Sequence, residues 1–195
     1  MGEALKQTQE RFFASPEEYL EWEEKATYKS EYRQGEVTAM AGRSLNHNTI
    51  SGNIFGNFFT MLIGKGCRPF NSDMKLDIPL SHSFVYPDAM VVCGTIELME
   101  GRQDVVKNPT LIVEVMSPST ADYDRGEKFV NYRSLAMFKE YLLLDSRRYQ
   151  VDAFFRKSPQ EWQMLIYQDL SETVLIQSLG LKLPMSDIYT DVVFE

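Results

Sequence analysis

The order of the predicted segments indicates an α/β (α+β) fold, a mixed β-sheet flanked by helices. Residues 44–145 follow the order helix, strand, strand, strand, helix, strand, which has too few helices for a doubly wound sheet. Residues 110–116 are apolar on both alternating faces, which is typical of a strand buried on both sides. A chain of 195 residues, 44% of them hydrophobic, is long enough for a substantial core. We expect a single domain over residues 1–195, with its core at about residues 44–145.

The N-terminal part predicts a helix and a hairpin outside this core. Ser15, Pro16 and Glu18 supply a helix cap, a first helical residue and an acid three positions after the cap. We expect this helix to reach about residue 26. Residues 28–40 then predict two short strands around a Gln-Gly-Glu turn.

The core begins with the longest predicted helix, at residues 44–63, in which Ile50, Ile54 and Phe58 recur at helical spacing. The core then continues with strands at residues 71–78 and 86–93, a loop with a helical turn at 94–108, a strand at 110–116, a helix from 120 or 121 to 135, and a strand at 140–145.

The C-terminal part predicts a β-hairpin beyond the core. Its strands are expected at residues 149–155 and 162–167, on either side of Lys157-Ser158-Pro159. Another strand is expected near residues 173–177. Residues 179–195 predict turns and one short helix.

Two acidic residues interrupt otherwise apolar, strand-like runs. Glu114 lies in the middle of residues 110–116, and Asp88 follows Pro87 at the start of a second such run. An ionised carboxylate in a buried strand is costly unless a cation, a metal or strong donors compensate it. Taken singly, Asp88 also fits a turn cap, and Glu114 fits an ion pair with Arg or Lys. Together the two acids indicate a site for a divalent cation such as Mg²⁺, which prefers oxygen ligands.

Charge and composition narrow the classes of function. The chain has 20 Lys and Arg against 28 Asp and Glu, and the net charge of −8 weighs against broad nonspecific binding of polyanions. No apolar run is long enough for a membrane span, and the first residues lack the pattern of a signal peptide. Cys67 and Cys93 are too few for a disulfide framework, and Cys93 fits a small core residue. We therefore expect a cytoplasmic protein.

Several short motifs are similar to those of one nuclease family. They are Pro87-Asp88, Glu114-Val-Met-Ser-Pro-Ser-Thr120, Asp124-Arg-Gly-Glu-Lys128, Tyr132 and Glu140-Tyr141, with Glu31-Tyr-Arg-Gln-Gly35-Glu and Asn46-His47 upstream. The chain resembles the Uma-type endonucleases, a family of the PD-(D/E)XK nuclease superfamily, over about residues 13–190. The resemblance implies a restriction-endonuclease-like fold, whose core has the same order of helices and strands as residues 44–145.

The resemblance also implies a metal site. Asp88 and Glu114 would bind Mg²⁺ or Mn²⁺ together with the main-chain carbonyl of Val115. The implied reaction is metal-assisted hydrolysis of phosphodiester bonds in DNA, in which the cation lowers the pKa of bound water and offsets charge on the phosphoryl group.

One superfamily residue is missing from its expected position. The superfamily has a lysine two residues after the glutamate, where this chain has Met116. Lys128 is the first candidate to replace it, because a helix would place Lys128 and Tyr132 on one face. There it would orient the water or stabilise developing negative charge. Lys75, on the first predicted core strand, is the second candidate.

Other residues near these motifs have alternative explanations. Glu31 fits either an additional acid beside the metal or an exposed residue before a turn. His47 fits a helix start or the core as well as a catalytic role, and Tyr132 fits the core. Asp124 also suits a helix N-terminus, and Ser117 also suits the Ser-Pro turn.

The sequence leaves two functions open. The first is a metal-dependent DNA endonuclease, which the acids at positions 88 and 114 favour. The second is a catalytically weak or inactive nuclease-fold module that binds DNA or protein, which Met116 and the net charge of −8 favour. For a chain this acidic, holding a duplex also predicts a homodimer with two aligned basic grooves, for which Arg147-Arg148 and Arg156-Lys157 are candidates.

Overall fold

The computed structural model describes residues 11–12, 15–40, 42–118 and 120–194. Its helices and strands are, in chain order, β1 (Arg11–Phe12), α1 (Pro16–Glu23), β2 (Ser30–Arg33), β3 (Glu36–Ala39), α2 (Leu45–Met61), β4 (Cys67–Asn71), β5 (Lys75–Ile78), a 3₁₀ turn (Pro79–Ser81), β6 (Ser83–Val85), β7 (Ala89–Cys93), β8 (Val105–Val106), β9 (Leu111–Met116), α3 (Ala121–Tyr123), a π turn (Asp124–Lys128), α4 (Phe129–Tyr132), β10 (Glu140–Asp145), β11 (Val151–Arg156), β12 (Trp162–Tyr167), β13 (Thr173–Ile176), β14 (Leu181–Pro184) and α5 (Met185–Ile188).

The central element is a mixed sheet with the order β12-β11-β10-β9-β7-β4. Its strands pair antiparallel except β9 and β10, which run parallel. Every residue of β9 and β10 is buried, because the sheet is covered on both faces at these strands. This arrangement of a mixed sheet flanked by helices confirms the predicted fold class.

The two faces of the central sheet pack against different elements. On one face, α2, the β13–β14 hairpin and α5 form a core with alternate residues of β9, such as Val113 and Val115. On the other face, Ile112 and Met116 of β9 pack with residues of α4 and of the second sheet, such as Tyr132 and Leu76. Glu114 follows the same alternation and therefore points toward α4.

The second sheet has the order β1-β3-β2-β6-β5-β8 and carries the N-terminal hairpin. The β2–β3 turn contains Gln34 and Gly35, both with positive φ, at 47° and 97°. Two such residues make the tight turn whose twist suits a hairpin, as the sequence predicted. The hairpin places Glu31 of β2 above the central sheet near α4, where it contacts Lys128.

The helix predicted from the Ser15 cap begins at Pro16, and the long helix predicted from residue 44 begins at Leu45. Ser15 Oγ accepts a hydrogen bond from Glu18 N at 3.2 Å, and Ser44 Oγ accepts one from His47 N at 3.2 Å. Each bond satisfies one of the otherwise unpaired N–H groups of a first helical turn. The helix that follows β9 also begins as predicted, at Ala121, but it contains a π turn and ends at Tyr132 rather than at residue 135.

Three segment predictions are wrong in the structure. The single strand expected at residues 71–78 is two strands in different sheets, because Asn71 Oδ1 accepts a hydrogen bond from Asp73 N at 3.1 Å and the chain turns there. Residues 94–108 contain the short strand β8 rather than a helical turn. Residues 181–184, expected as a turn, form β14 and pair with β13.

The two cysteines form a disulfide, which corrects the expectation that they are unpaired. Cys67 of β4 lies directly opposite Cys93 of β7 in the antiparallel register, with 4.0 Å between their Cα atoms. Their spacing along the chain gives no hint of this register. The inference of a reducing, cytoplasmic compartment from unpaired cysteines therefore loses its basis. Within the described ranges, every helix is too short or too polar to cross a bilayer.

Candidate active site

The two acids singled out in the sequence meet at the junction of β7 and β9. These strands pair antiparallel with Ala89 opposite Val113, which places Asp88 beside Glu114. Asp88 Oδ2 accepts a hydrogen bond from Val115 N at 2.8 Å. Both side chains are buried, with 6% of Asp88 and 1% of Glu114 exposed. The fold thus brings together two carboxylates that are 26 positions apart in the sequence.

Lys128 supplies the positive charge next to Glu114. Its ammonium Nζ lies 3.0 Å from Glu114 Oε1, 3.3 Å from Glu31 Oε1 and 3.4 Å from Asp124 Oδ1. Only 4% of Lys128 is exposed. One buried ammonium therefore contacts three carboxylates from β9, β2 and the π turn. Its catalytic role remains a prediction, as do the metal-binding roles of the acids.

The π turn explains how a helix can deliver these groups. Asp124 and Lys128 are both buried, although the intervening residues are exposed. Tyr132 lies four positions further along and donates a hydrogen bond from its hydroxyl to Glu114 Oε1 at 2.6 Å. Tyr141 of β10 donates to the main-chain carbonyl of Asp124 at 3.0 Å. π turns within helices are frequent at functional sites because they re-aim side chains in this way.

The cluster carries more negative than positive charge, and this shows in its pKa values. Burial raises the pKa of Glu114 to about 8, with Asp124 and Asp88 acting in the same direction against Lys128 and Tyr132. Burial also raises the pKa of Asp124 despite the nearby Lys128. Burial lowers the pKa of Lys128, but the surrounding carboxylates outweigh it and hold that pKa well above its usual range. The cluster would therefore be stabilised by a further cation.

Asp88 has a different environment from Glu114. Burial raises its pKa, but His47, Arg43 and the N–H of Val115 outweigh burial and hold the pKa below its usual value. His47 Nε2 lies 3.3 Å from Asp88 Oδ2. Asp88 is thus ionised at neutral pH.

The second-choice lysine, Lys75, lies outside this cluster. Lys75 is buried in a separate network, where its Nζ lies 2.8 Å from Glu23 Oε2 and 2.5 Å from Asp104 Oδ2. It therefore cannot serve as the second-choice lysine without leaving both partners. Met116 packs in the apolar cluster below the site. Ser117 donates a hydrogen bond from its main-chain N to Thr120 Oγ1 at 3.1 Å, which shapes the turn before α3.

Sequence reasoning underestimated Asp124 and Tyr132. The sequence left a helix N-terminus open for Asp124 and the core open for Tyr132, and in the structure both contact groups of the cluster. The spacing of four residues from Asp124 to Lys128 to Tyr132 was the available signal, since it puts the three side chains on one helical face.

Two neighbouring clefts give access to the acids. A cleft of about 500 Å³ has Glu31 and Lys128 in its wall, with Arg33 and Tyr123 beside them. A second cleft, of about 390 Å³, is lined by Asp88, His47 and Lys29 among others. Arg43 borders both clefts. Arginine and lysine side chains thus surround the openings to an acidic centre.

The donor set fits a hard divalent cation. In the part of the chain that the structure describes, no group of three or more His, Cys, Asp or Glu side chains is arranged to hold a metal. The set implied by the family resemblance has two carboxylates and the carbonyl of Val115. Few protein ligands and several retained waters are typical of Mg²⁺ sites, and the excess negative charge of the cluster favours a cation.

The chain is similar in sequence to two uncharacterized proteins of Synechocystis sp.. The chain is 37% identical over 180 residues to an uncharacterized protein, slr1290, of Synechocystis sp., covering 92% of this chain and 93% of that one. It is 40% identical over 146 residues to a second uncharacterized protein of that organism, sll1609, covering 74% and 82%.

A solved structure has the same fold. The crystal structure titled as that of "a putative nuclease belonging to DUF820" from Anabaena variabilis matches with a TM-score of 0.73 at 16% identity, covering 93% of this chain and 100% of that one. The model of the family Uma2, described as "Putative restriction endonuclease", matches residues 16–186. Since this match spans most of the chain, the protein belongs to the Uma2 family.

Proposed function

We propose that this protein is a metal-dependent endonuclease that hydrolyses phosphodiester bonds in DNA. The observation that carries the proposal is the contact of 3.0 Å between Lys128 Nζ and Glu114 Oε1. It supports a complete set of two acids and one lysine, even though Met116 occupies the position at which the superfamily has its lysine. Membership of a family of putative restriction endonucleases supports the same reaction class.

Each residue of the cluster has a distinct task in this reaction. Asp88, fixed by the N–H of Val115, and Glu114 would hold Mg²⁺ or Mn²⁺ together with the Val115 carbonyl. That cation, when bound, supplies an activated water and offsets charge on the phosphoryl group. Lys128 orients the water or stabilises negative charge as it develops. Tyr132 fixes the orientation of Glu114 through its hydroxyl.

The clefts on either side of Arg43 are suited to the DNA backbone. Arg33, Arg43 and Lys29 lie along them, and phosphate oxygens are good acceptors for these side chains. The net charge of the whole chain, −8, limits nonspecific binding. Three cationic side chains therefore line the clefts in which the scissile phosphate would lie.

Cleavage assays with single-residue variants test this proposal. The wild type should nick supercoiled plasmid or cut single-stranded DNA in the presence of Mg²⁺ or Mn²⁺. Asp88→Asn and Glu114→Gln should each abolish cleavage, since each removes a metal-binding carboxylate with little change in volume. Asp122→Asn is the matched control, because Asp122 is an exposed acid on the same helical segment as Asp124. Unchanged cleavage by Glu114→Gln would reject the assignment.

A second function has one observation in its favour. The described residues contain no group of three or more side chains arranged to hold a metal, as a protein that has lost catalysis would show. In that case the protein is a nuclease-fold module that binds DNA or protein. Stable DNA binding without cleavage of any substrate at millimolar Mg²⁺ or Mn²⁺ would favour this alternative.

A further inference from the structure

The groups of the candidate active site lie at the bottom of clefts rather than on an open surface. Asp88, Glu114 and Lys128 are all buried, and the cleft beside Lys128 has a volume of about 500 Å³. A double helix is too broad to enter a cleft of this volume, since its major groove alone is about 12 Å wide. An intact duplex therefore fits these groups poorly, whereas one strand is narrow enough to reach them.

The wall of the cleft beside Lys128 is largely apolar. Ala39 at the end of β3, Met40 directly after it, Pro118 after β9 and the ring of Tyr123 in α3 contribute carbon surface. Such groups gain little from a phosphate, but they can contact the flat face of a nucleobase, which every base presents once it is unpaired and unstacked. The cleft is therefore suited to one unpaired base.

Two arginines that border this cleft provide donors for phosphates. Arg43 precedes the cap of α2 and is shared with the second cleft. The guanidinium carbon of Arg33 lies 4.6 Å from the centre of the Tyr123 ring. Among the described residues its polar contacts are long, at 3.4 Å to Thr38 Oγ1 and 3.7 Å to Glu127 Oε1, and its Nε has no partner. N–H donors of Arg33 therefore remain for phosphate oxygens.

We propose that the substrate is DNA with unpaired bases, one of which lies in the cleft beside Lys128 with its flanking phosphates on Arg33 and Arg43, and this rests on the proposed nuclease function. Cationic groups around an apolar surface are the combination by which proteins hold single strands without reading their sequence. The contacts to phosphate are few, which agrees with a net charge of −8 that disfavours broad contact with a duplex.

Fluorescence anisotropy in the presence of a metal chelator measures DNA binding without cleavage. A single-stranded oligonucleotide should bind at least about tenfold more tightly than the same sequence in a duplex, because only the unpaired strand places a base in the cleft. Equal or tighter binding of the duplex would overturn the proposal.

A substitution in the apolar wall tests the position of the base. Met40→Ala should weaken binding of the single strand at least about fivefold and leave binding of the duplex unchanged, since it removes apolar contact area from the cleft alone. Met137→Ala, at an exposed methionine that lines neither cleft, is the matched control and should change neither affinity. An equal effect of Met40→Ala on single strand and duplex, or no effect, would contradict a base in this cleft.

Cleavage of oligonucleotides with one abasic site separates this inference from the proposed function. With Mn²⁺, an abasic site at one fixed distance from a phosphodiester should slow cleavage there at least about fivefold, the effect of losing one base contact. Equal cleavage of duplex and single strand, with no effect of abasic sites at any distance, would overturn the specificity and keep the nuclease. Tighter binding of single strands without any cleavage would keep the specificity of the cleft and reject the nuclease.

Discussion

At the scale of single residues, the lysine that contacts Glu114 comes from a different position than in the superfamily pattern. In the superfamily pattern a lysine two positions after the glutamate shares its face of the strand. Here Met116 occupies that position and packs among apolar side chains. The ammonium comes instead from Lys128, one strand-to-helix connection later in the chain, and reaches Glu114 Oε1 at 3.0 Å. The two positions can serve one site because α4 packs on the face of β9 that carries both Glu114 and Met116.

The first prediction is that Lys128→Met slows DNA cleavage by a factor on the order of 10² to 10³, the cost of losing one electrostatic stabiliser. Binding of Mn²⁺ should persist, because neither metal-binding carboxylate is removed. Single-turnover cleavage and calorimetry measure the two effects separately. Since Lys128 is buried among carboxylates, thermal unfolding must show that the variant is folded before its rate is interpreted.

A double substitution tests whether a lysine at position 116 can replace the lysine at position 128. The double variant Met116→Lys with Lys128→Met places the ammonium at the superfamily position on the same face of β9. It should regain at least about tenfold in cleavage rate over Lys128→Met, because a lysine there can offset the same developing charge. No gain in a folded double variant would mean that Lys128 acts only by neutralising Glu31 and Asp124.

At the scale of secondary-structure elements, local sequence signals predicted most of the fold. Ser15 predicted a helix start because a cap is a local interaction, and β10 was predicted at its observed residues because its apolar run is continuous. The wrong predictions fall in segments whose structure is determined by tertiary contacts. The partner of β14 is set by pairing with β13, and the π turn at Asp124–Lys128 is set by packing on β9 and β10.

The candidate site was predictable for the same reasons and to a similar extent. Glu114 and Asp88 were visible because an acid in an apolar strand is costly without compensation. Contacts that depend on packing were not visible, such as the hydroxyl of Tyr132 on Glu114 and the approach of His47 to Asp88. The disulfide of Cys67 was missed because strand register, rather than spacing, places its partner.

One inter-element network makes stability depend on pH. Asp104 accepts hydrogen bonds from Arg102 and Lys75 and so ties the loop before β8 to β5. Partial burial raises the pKa of Asp104, but these bonds and charges outweigh burial and lower the pKa to about 2. The ordinary value for aspartate in an unfolded chain is about 3.9. The folded protein therefore binds this proton less tightly than the unfolded chain does.

The second prediction follows from the sign of this shift. Stabilisation by Asp104 is fully present above about pH 4 and is lost as the pH falls toward 2, because the unfolded chain takes up the proton first. The free energy of unfolding of Asp104→Asn, measured in urea, should therefore fall less steeply than that of the wild type over this range. Asp122→Asn, which changes an exposed acid, serves as the control. Equal slopes for Asp104→Asn and wild type would contradict the assignment.

At the scale of the whole molecule, the distribution of charge bears on self-association. Several of the basic side chains proposed from the sequence as a DNA-binding surface form contacts within the chain instead. Arg147 and Arg148 both contact Asp145, and Arg156 donates to the main-chain carbonyl of Arg133 at 2.8 Å. By contrast, α2 has no Asp, Glu, Lys or Arg. Two copies of a chain of charge −8 can meet along this helix without placing like charges opposite each other.

The third prediction is that the protein forms a homodimer through the outer face of α2. Phe59 is 58% exposed on this face, and Ile63, just beyond the helix, is 73% exposed. The face also contains Gly52 and Gly56, where a second backbone can approach closely because no other atoms lie within 4 Å of a Cβ position. A dimer formed there would bury apolar side chains that a monomer leaves in water.

Light scattering at high micromolar concentration measures this association directly. The wild type should have twice the mass of one chain, and Phe59→Glu should be monomeric, because a carboxylate at a two-fold contact would face its own copy. Leu80→Glu, at an exposed leucine of the 3₁₀ turn rather than of α2, should remain dimeric. A strictly monomeric wild type would contradict the expectation that a dimer holds the DNA. A dimeric Phe59→Glu would place the interface on another face.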